Sequence, residues 1–216
     1  AYILLAIPMF ILAANVMNAG TISERLWRAA DAVVGPARGG LAHVNVLVSM
    51  VFSSMSGSAI ADAAGPGMVS IRMMQQVGGY PSGLAVAITA ASAVIAPIIP
   101  PSIPLVLYAL NSGASVGALF LGGIVPGVLM GLALMATVVI VAPRMGLPAS
   151  PAMATPERLR ALAGAIIPFT LPVVLLGGIW SGVFTPTEAA AVGAMSACVL
   201  AIVVYRAFDL RGLWAV

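Results

Sequence analysis

A thirteen-residue stretch rich in small polar residues, SSMSGSAIADAAG at 53–65, could carry chemistry. If a helix breaks at Ser56, Gly57 and Ser58, hydroxyl and carbonyl oxygens become available there, and such oxygens suit a hard cation such as sodium. The half-helix that restarts after the break directs its positive end toward the same place, which favours an anionic group. The stretch therefore predicts a site that a cation and an anion share.

An acidic residue, Asp62, lies within this stretch. An acid inside a membrane segment is a functional hypothesis by default, and we name Asp62 and Ser58 as candidate substrate ligands. Other interpretations stay open. Asp62 could hydrogen-bond the backbone or pair with Arg72, and the Ser-Gly-Ser triplet could be only a close-packing contact between helices.

Four prolines interrupt the apolar stretch ASAVIAPIIPPSIPL at 91–105. An interior proline removes a backbone hydrogen bond and collides with the preceding turn, so no continuous helix accommodates this stretch. Carbonyl groups near Ala96, Ile99 and Pro100 are thereby freed inside an apolar segment. A broken helix that faces a re-entrant hairpin is typical of a transporter site near the membrane midplane. A simple proline kink is the alternative interpretation.

Other polar residues in the apolar segments are interpreted as structural. We expect Ser92 and Ser102 to bond to their own helix. His43 and Asn45, at the entrance of the predicted hairpin, are expected to be hydrogen-bonded structural groups, and Asn18 is expected to cap the end of the first helix.

Enzymatic chemistry and nucleic-acid binding are both disfavoured. With one histidine and one cysteine, most nucleophile–base arrangements cannot be assembled, and the sequence contains no metal-ligand cluster or phosphate-binding glycine loop. The nine arginines that give the net charge of +3 are dispersed among apolar segments, without a basic stripe or interleaved aromatic residues. We therefore predict that the chain is not an enzyme and needs no cofactor other than a coupling ion.

The composition indicates a membrane protein. Of the 216 residues, 62% are hydrophobic and only 7% are charged, against roughly 25% charged residues in an ordinary soluble domain, and the mean hydropathy is +1.14. Apolar runs of about twenty residues recur, which is the length a helix needs to cross a bilayer. The predicted fold class is an all-α polytopic membrane protein with a re-entrant helical hairpin and a proline-broken transmembrane helix.

The expected organisation is a partial permease domain over residues 1–216, within a longer protein. Five transmembrane segments are predicted at residues 1–19, 81–110 (the broken helix), 117–142, 161–180 and 187–205. Three further segments connect them: a cytoplasmic interfacial segment at 20–40, a re-entrant hairpin at 41–70 and a cytoplasmic loop at 143–160.

The arginine positions favour the re-entrant hairpin over a simple crossing. If residues 41–70 cross once, the nine arginines divide three to six between the two faces. If this stretch enters and returns, all nine lie on one face, as the positive-inside rule favours for the cytoplasmic side. Re-entrant backbone exposed to lipid would leave polar groups unpaired, so it must be packed in protein or line a wet cavity. The hairpin tip is therefore expected to lie at a site.

Two capping boxes mark predicted helix starts. In FTPTEAAA at 184–191, Thr185 is the expected N-cap, Pro186 the first helical residue and Glu188 the acid that completes the box. Thr21 and Glu24 have the same spacing, which predicts that a short amphipathic helix lies at the membrane interface.

The chain resembles the large membrane subunit (DctM-like permease) of the tripartite ATP-independent periplasmic transporters. The resemblance extends over nearly the whole chain. It is carried by GGLAHVNV at 39–46, MSGSAIADAAG at 55–65, TAASAVIAPIIPPSIPLVLY at 89–108, GALFLGGIVPG at 117–127 and GGIWSGVFTPTEAAAV at 177–192.

This resemblance implies sodium-coupled uptake of small organic acids, C4-dicarboxylates or related carboxylates, across the bacterial inner membrane by an elevator-like domain. It implies two protein partners: a small membrane subunit and a periplasmic substrate-binding protein. It also implies an inverted-repeat fold, with a second hairpin and a second sodium site beyond residue 216. By matching motifs, the first sodium site would fall on Ser53, Ser56, Ala96, Ile99 and Pro100.

Two other functions stay open at this point. A passive channel could be lined by the re-entrant loop, since channels use such loops too, and a structural membrane scaffold would carry no permeant. Uptake against a gradient that requires sodium separates the transporter from both.

Overall fold

The computed structural model describes residues 2–19, 22–205 and 207, and no strand occurs in these ranges. A 3-10 turn (Tyr2–Leu5) precedes the first α-helix, and a π-helical turn (Leu200–Val204) follows the last. The α-helices are α1 (Ala6–Ala19), α2 (Ile22–Val34), α3 (Gly40–Ser56), α4 (Ala59–Ala64), α5 (Pro66–Gln76), α6 (Ser82–Ala93), α7 (Ile103–Ser112), α8 (Val116–Arg144), α9 (Thr155–Trp180) and α10 (Pro186–Val199).

Three helical segments are long and apolar enough to cross a membrane: α8, α9, and α10 together with its π-helical extension. Their mean hydropathies are 2.5, 2.1 and 1.9. A fourth crossing is counted if α1 and α2 are taken as one bent span. The prediction of an all-α polytopic membrane protein is thus confirmed.

Helices α3, α4 and α5 form a hairpin whose turn is Gly57. This glycine ends α3 in the left-handed conformation (φ 60°), where a residue without a side chain is favoured, and its N–H donates to the carbonyl of Ser53 at 3.2 Å. Ser58 then begins α4 as its N-cap, its hydroxyl accepting from the N–H of Ala61 at 3.3 Å. The Ser-Gly-Ser triplet therefore ends one helix and starts the next.

The two arms of the hairpin end side by side. A Cβ atom at Gly78, just after α5, would lie 2.7 Å from the side chain of Leu41, in the first turn of α3, and 2.8 Å from the ring of Tyr80. The chain consequently leaves the hairpin at the end where it entered. The return arm runs to Gln76, beyond the predicted limit at residue 70, because α4 and α5 follow one another with only Gly65 between them.

The loop after α2 and the loop after α8 meet at this same end. The N–H of Ser150 donates to the carbonyl of Gly35 at 3.0 Å, and the N–H of Gly39 donates to the carbonyl of Pro148 at 3.2 Å. At the other end, a buried apolar cluster joins the end of α7, the start of α8, the end of α9 and the start of α10. The loops after α2 and α8 thus lie at one end, and the α7–α8 and α9–α10 connections lie at the other. This grouping agrees with an even number of membrane crossings between the arginine-bearing segments.

Three of the four prolines lie in the interruption that divides the predicted broken helix into α6 and α7, and the fourth is in the first turn of α7. Helix α6 stops at Ala93, the chain from 94 to 102 is not α-helical, and α7 begins at Ile103 with Ser102 as its N-cap. The hydroxyl of Ser102 accepts from the N–H of Leu105 and donates to the carbonyl of Pro97. The break is therefore an ordered interruption of about nine residues rather than a simple kink.

Helix α8 packs against this break through small residues. A Cβ atom at Gly123 would overlap the carbonyl oxygen of Ile98, and one at Gly127 would overlap the side chain of Ile99. One turn further, Gly131 lies against a methionine of α3 in the same way. These three glycines, spaced by four residues, let α8 approach both the broken helix and the first arm of the hairpin.

Several boundaries differ from the predicted ones. The clearest case is α9, which begins at Thr155 rather than at residue 161, so Arg158 and Arg160 are helical and not in a loop. Pro156 in the first turn and Glu157 beside the positive helix end favour this earlier start. Because both residue types are common in loops, hydropathy alone placed the boundary too late.

The capping box at the start of α10 is confirmed. The hydroxyl of Thr185 accepts from the N–H of Glu188 at 3.3 Å, and the Glu188 carboxylate accepts from the N–H of Thr185 at 2.8 Å. For the second box, Thr21 lies outside the described residues. Helix α2 buries Leu26 and Ala30 against α3 and α9, and its interfacial position stays a prediction.

Cysteine labelling would test the re-entrant position of the hairpin. Gln76 is exposed at the end of the return arm, so we expect Gln76→Cys, in full-length protein carrying Cys198→Ala, to react with a membrane-impermeant maleimide from the cytoplasmic face. Asn111→Cys, exposed in the last turn of α7, should react only from the opposite face. Labelling of Gln76→Cys only from the periplasmic face would make residues 41–76 an ordinary crossing.

Candidate functional site

The two predicted interruptions lie in direct contact. The N–H of Ile103, the first residue of α7, donates to the carbonyl oxygen of Gly57 at 3.4 Å. A Cβ atom at Gly57 would overlap the carbonyl oxygen of Pro101 and would lie 3.1 Å from the Cα of Ser102. The tip of the hairpin is thus seated against the irregular backbone between α6 and α7, as the sequence predicted.

The predicted carbonyl ligands lie in this irregular backbone. Ala96 is completely buried, Ile99 is 8% exposed and Pro100 is also buried. In the part of the chain that the structure describes, no N–H or hydroxyl donates to the carbonyl oxygen of any of the three. A buried carbonyl normally has a partner, so these three unused acceptors are available to a cation.

The two predicted serine ligands differ in their hydrogen bonding. Both are completely buried at the end of α3. The hydroxyl of Ser53 donates to the carbonyl of Ser49, one turn back in its own helix, whereas the hydroxyl of Ser56 has no partner among the described residues. An unpaired buried hydroxyl costs about 1–3 kcal/mol. Ser56, next to the turn, therefore has a buried hydroxyl that is free to bind an ion.

The first arm of the hairpin and the break share an apolar wall. Val46, Ile95 and Ile99 form a buried cluster, with Met50 packed against it. These contacts fix the residues between α6 and α7 along α3, so that Ile99 lies between α3 and α8. The unused carbonyl groups are consequently held by packing on two sides.

The two candidate substrate ligands lie in different environments. Ser58 is half-buried at the tip, where its hydroxyl caps α4. Asp62 is completely buried, and neither of its carboxylate oxygens has a hydrogen-bond partner in the ranges that the structure describes. The neighbouring hydroxyl of Ser49 donates to Ser92 instead. Asp62 does not open to the surface in this conformation, and its role as a substrate ligand stays a prediction.

A buried polar network links α3 to α6, and the sequence interpretation missed it. The hydroxyl of Ser92 accepts from the side-chain amide of Asn45 and from the hydroxyl of Ser49, each at 3.0 Å, and donates to the carbonyl of Thr89. The expected local bond of Ser92 exists, but it is one of three. The signal was present as polar residues one turn apart on α3 (Asn45, Ser49) and three apart on α6 (Thr89, Ser92).

The end of α1 also contacts the hairpin. The side-chain amide of Asn18 donates to the carbonyl of Ala61, in α4, at 3.3 Å, and its oxygen accepts from the hydroxyl of Ser23 at 2.9 Å. A Cβ atom at Gly65 would overlap the same amide. Asn18 is therefore not the simple helix cap that its position suggested, because it joins the return arm to α1 and α2.

The site offers neutral oxygen ligands. The residues described contain no cluster of three or more histidine, cysteine or acidic side chains that could hold a metal ion. Carbonyl and hydroxyl oxygens bind hard monovalent or divalent cations rather than soft transition metals. The predicted ligands Ala96, Ile99, Pro100 and Ser56 include no carboxylate, and such ligands suit an ion of low charge.

Comparison with known proteins supplies a family for this architecture. Residues 1–216 match the family model described as the DctM component of the tripartite ATP-independent periplasmic transporter. The chain is 43% identical over 211 residues to the sialic acid TRAP transporter large permease protein SiaM of Vibrio cholerae, and 42% identical over 216 residues to the 2,3-diketo-L-gulonate TRAP transporter large permease protein YiaN of Escherichia coli. It is 44% identical over 210 residues to the C4-dicarboxylate TRAP transporter large permease protein DctM of Pseudomonas aeruginosa.

These three alignments cover 98%, 100% and 97% of the chain, but only 49%, 51% and 48% of the respective relatives. The chain therefore spans about half the length of the curated relatives that it matches.

Proposed function

The chain belongs to the DctM-component family of the tripartite ATP-independent periplasmic transporters, and from this membership we propose that it forms part of a large permease subunit that imports small organic acids with sodium. The observation that carries the proposal is the contact between the hairpin tip at Gly57 and the irregular backbone at Pro101 to Ile103. Two interrupted helices that meet at their interruptions are typical of secondary-transporter sites.

The coupling ion is proposed to bind between these interruptions. Its ligands would be the carbonyl oxygens of Ala96, Ile99 and Pro100, which have no donor among the described residues, and the unpaired hydroxyl of Ser56. Ser53 lies in the last turn of α3, and its hydroxyl donates within that helix. The hydroxyl oxygen of Ser53 would be its ligand to the ion. A bound sodium ion would satisfy these neutral oxygens, and the site would then carry a single positive charge.

The substrate class is proposed from what the relatives have in common. Sialic acid, 2,3-diketo-L-gulonate and C4-dicarboxylates, named for three relatives, all carry a carboxylate and all are small. Sodium bound at the tip would offset the negative charge of such a substrate beside Ser58. Of the three, a C4-dicarboxylate is our first choice, and we expect selectivity to be shared with a periplasmic binding protein.

The proposed mechanism is an elevator in which the hairpin and the broken helix move together. Helices α3, α5 and α6 pack on one another and are joined by the network around Ser92. Helix α8 meets them through Gly123, Gly127 and Gly131. Because glycine has no side chain, these positions of α8 would offer little steric resistance if the neighbouring helices moved. We further propose that the permease lies in the bacterial inner membrane and has two partners. One is a small membrane subunit, and the other is a periplasmic binding protein that delivers the substrate.

Uptake by the reconstituted transporter tests this function. Proteoliposomes that contain the full-length permease, its small subunit and its binding protein should accumulate labelled succinate above the external concentration under an inward sodium gradient. Replacing sodium with potassium should abolish accumulation. Sialic acid and 2,3-diketogulonate in parallel would identify the substrate class. Downhill flux that is independent of sodium would contradict the proposal and favour a channel.

A further inference from the structure

A charged cavity of about 660 Å³ lies between α2 and α9, apart from the hairpin tip. Three arginines and two glutamates line it, together with small residues of α9 and the ring of Tyr205. The charged lining residues are Glu24, Arg25 and Arg28 of α2 and Glu157 and Arg160 of α9. None of these residues takes part in the proposed transport site.

Within the described part of the chain, the arginines of this cavity form no ion pair. Among the described residues, no guanidinium nitrogen of Arg25, Arg28 or Arg160 lies within 4.0 Å of a carboxylate oxygen. The Nε of Arg25 is buried and has no hydrogen-bond partner. Because a guanidinium group carries five donors in a fixed geometry that matches phosphate and carboxylate oxygens, three unpaired groups around one cavity present an unfilled set of donors to an anion.

One of these guanidinium groups is held in place by the end of α10. The guanidinium carbon of Arg25 lies 4.1 Å from the centroid of the Tyr205 ring, a cation–π contact. Tyr205 follows directly on the π-helical turn, and its N–H donates to the carbonyl of Leu200 at 2.8 Å. Such π-turns are frequent at functional sites because they redirect the following side chain. Here the turn directs Tyr205 to Arg25.

The geometry points to a binding site in this cavity for the phosphate group of a membrane phospholipid. The cavity opens at the arginine-bearing end of the helices, which the positive-inside rule places at the cytoplasmic headgroup level. Basic pockets between helices on that side suit phospholipid headgroups. The carboxylates of Glu24 and Glu157 leave the lining with a single net positive charge, which suits one phosphodiester. This inference does not depend on the identity of the transported substrate.

Thermal unfolding of the purified full-length transporter in detergent tests the site. We expect added phosphatidylglycerol to raise the midpoint of unfolding, and a neutral glycolipid that lacks phosphate to do so much less. Arg28→Gln and Arg160→Gln, at exposed positions, should each raise the lipid concentration for half-maximal stabilisation by about fivefold, since one arginine near an anionic surface contributes about that factor.

Arg72→Gln and Arg144→Gln are matched controls, because both arginines are exposed on neighbouring helices outside the cavity. They should leave the half-maximal lipid concentration unchanged. Inorganic phosphate at constant ionic strength separates the sources: stabilisation by phosphate but not by lipid would assign the site to a soluble anion. Equal effects of the cavity and control variants, or stabilisation by neither ligand, would overturn the inference.

Discussion

Gly57→Ala is expected to abolish sodium-driven uptake by the full-length transporter while leaving the protein in the membrane. The methyl group would overlap the carbonyl oxygen of Pro101 and lie 3.1 Å from the Cα of Ser102. Because backbone cannot rotate away as a side chain can, the tip and the broken helix must separate. Displacements of about 1 Å at a site cost roughly 100-fold in rate, and we expect a loss of this order.

Gly113→Ala is the matched control for this substitution. Gly113 ends α7 as Gly57 ends α3, with a similar left-handed conformation (φ 73° against 60°), but a Cβ atom there would meet nothing within 4 Å. Both variants bear the same backbone strain, about 1–2 kcal/mol, and only Gly57→Ala also separates the two interruptions. Initial uptake rates, normalised to the amount of transporter in the membrane, measure the difference. Similar rates for the two variants would show that the contact at Gly57 is not required.

The position of this contact could be predicted from the sequence because each half carries a local signal. The triplet Ser56-Gly57-Ser58 and the prolines between residues 97 and 104 each stop a helix through local backbone effects, which involve only the neighbouring residues. Two apolar segments that each break halfway can bury their freed backbone groups only against each other or against water. The meeting of the two interruptions follows from that restriction, without knowledge of any long-range contact.

What the sequence did not predict depends on contacts between distant residues. The bond from Asn18 to Ala61 and the network around Ser92 join helices that lie about forty or more residues apart. A polar residue in an apolar helix has the same local appearance whether it bonds to its own turn or to a neighbouring helix. Local patterns therefore identified these residues as structural but could not name their partners.

The start of α9 shows a second limit of sequence reasoning. Thr155, Pro156 and Glu157 suit the first turn of a helix, yet these residue types also suit a polar loop, and the hydropathy criterion selected the loop. This late boundary hid the cavity between α2 and α9, because an arginine in a loop is not expected to have fixed neighbours. As part of a helix packed on α2, Arg160 instead contributes to a defined cavity.

Ser56→Ala is expected to raise the sodium concentration for half-maximal uptake by about tenfold, with a smaller effect on the maximal rate. The Ser56 hydroxyl is completely buried and unpaired, and losing one ligand or charged-group hydrogen bond costs about 1.5 kcal/mol, near a factor of ten. Ser54→Ala is the neighbouring control, since the Ser54 hydroxyl donates to Val51 in its own helix. Glu188→Ala, which removes an exposed cap, should also leave the sodium dependence unchanged.

A stability measurement distinguishes an ion ligand from a packing residue at position 56. Without sodium, the unpaired hydroxyl of Ser56 is a buried polar group that destabilises the protein, so Ser56→Ala should unfold at the same or a higher temperature than wild type in sodium-free buffer. Adding sodium should then stabilise the wild type and Ser54→Ala, but Ser56→Ala much less, because the stabilisation that a ligand gives the folded state falls as its affinity falls. If Ser56 served only close packing, its replacement by the smaller alanine would lower the unfolding temperature without sodium and leave the sodium-induced shift intact.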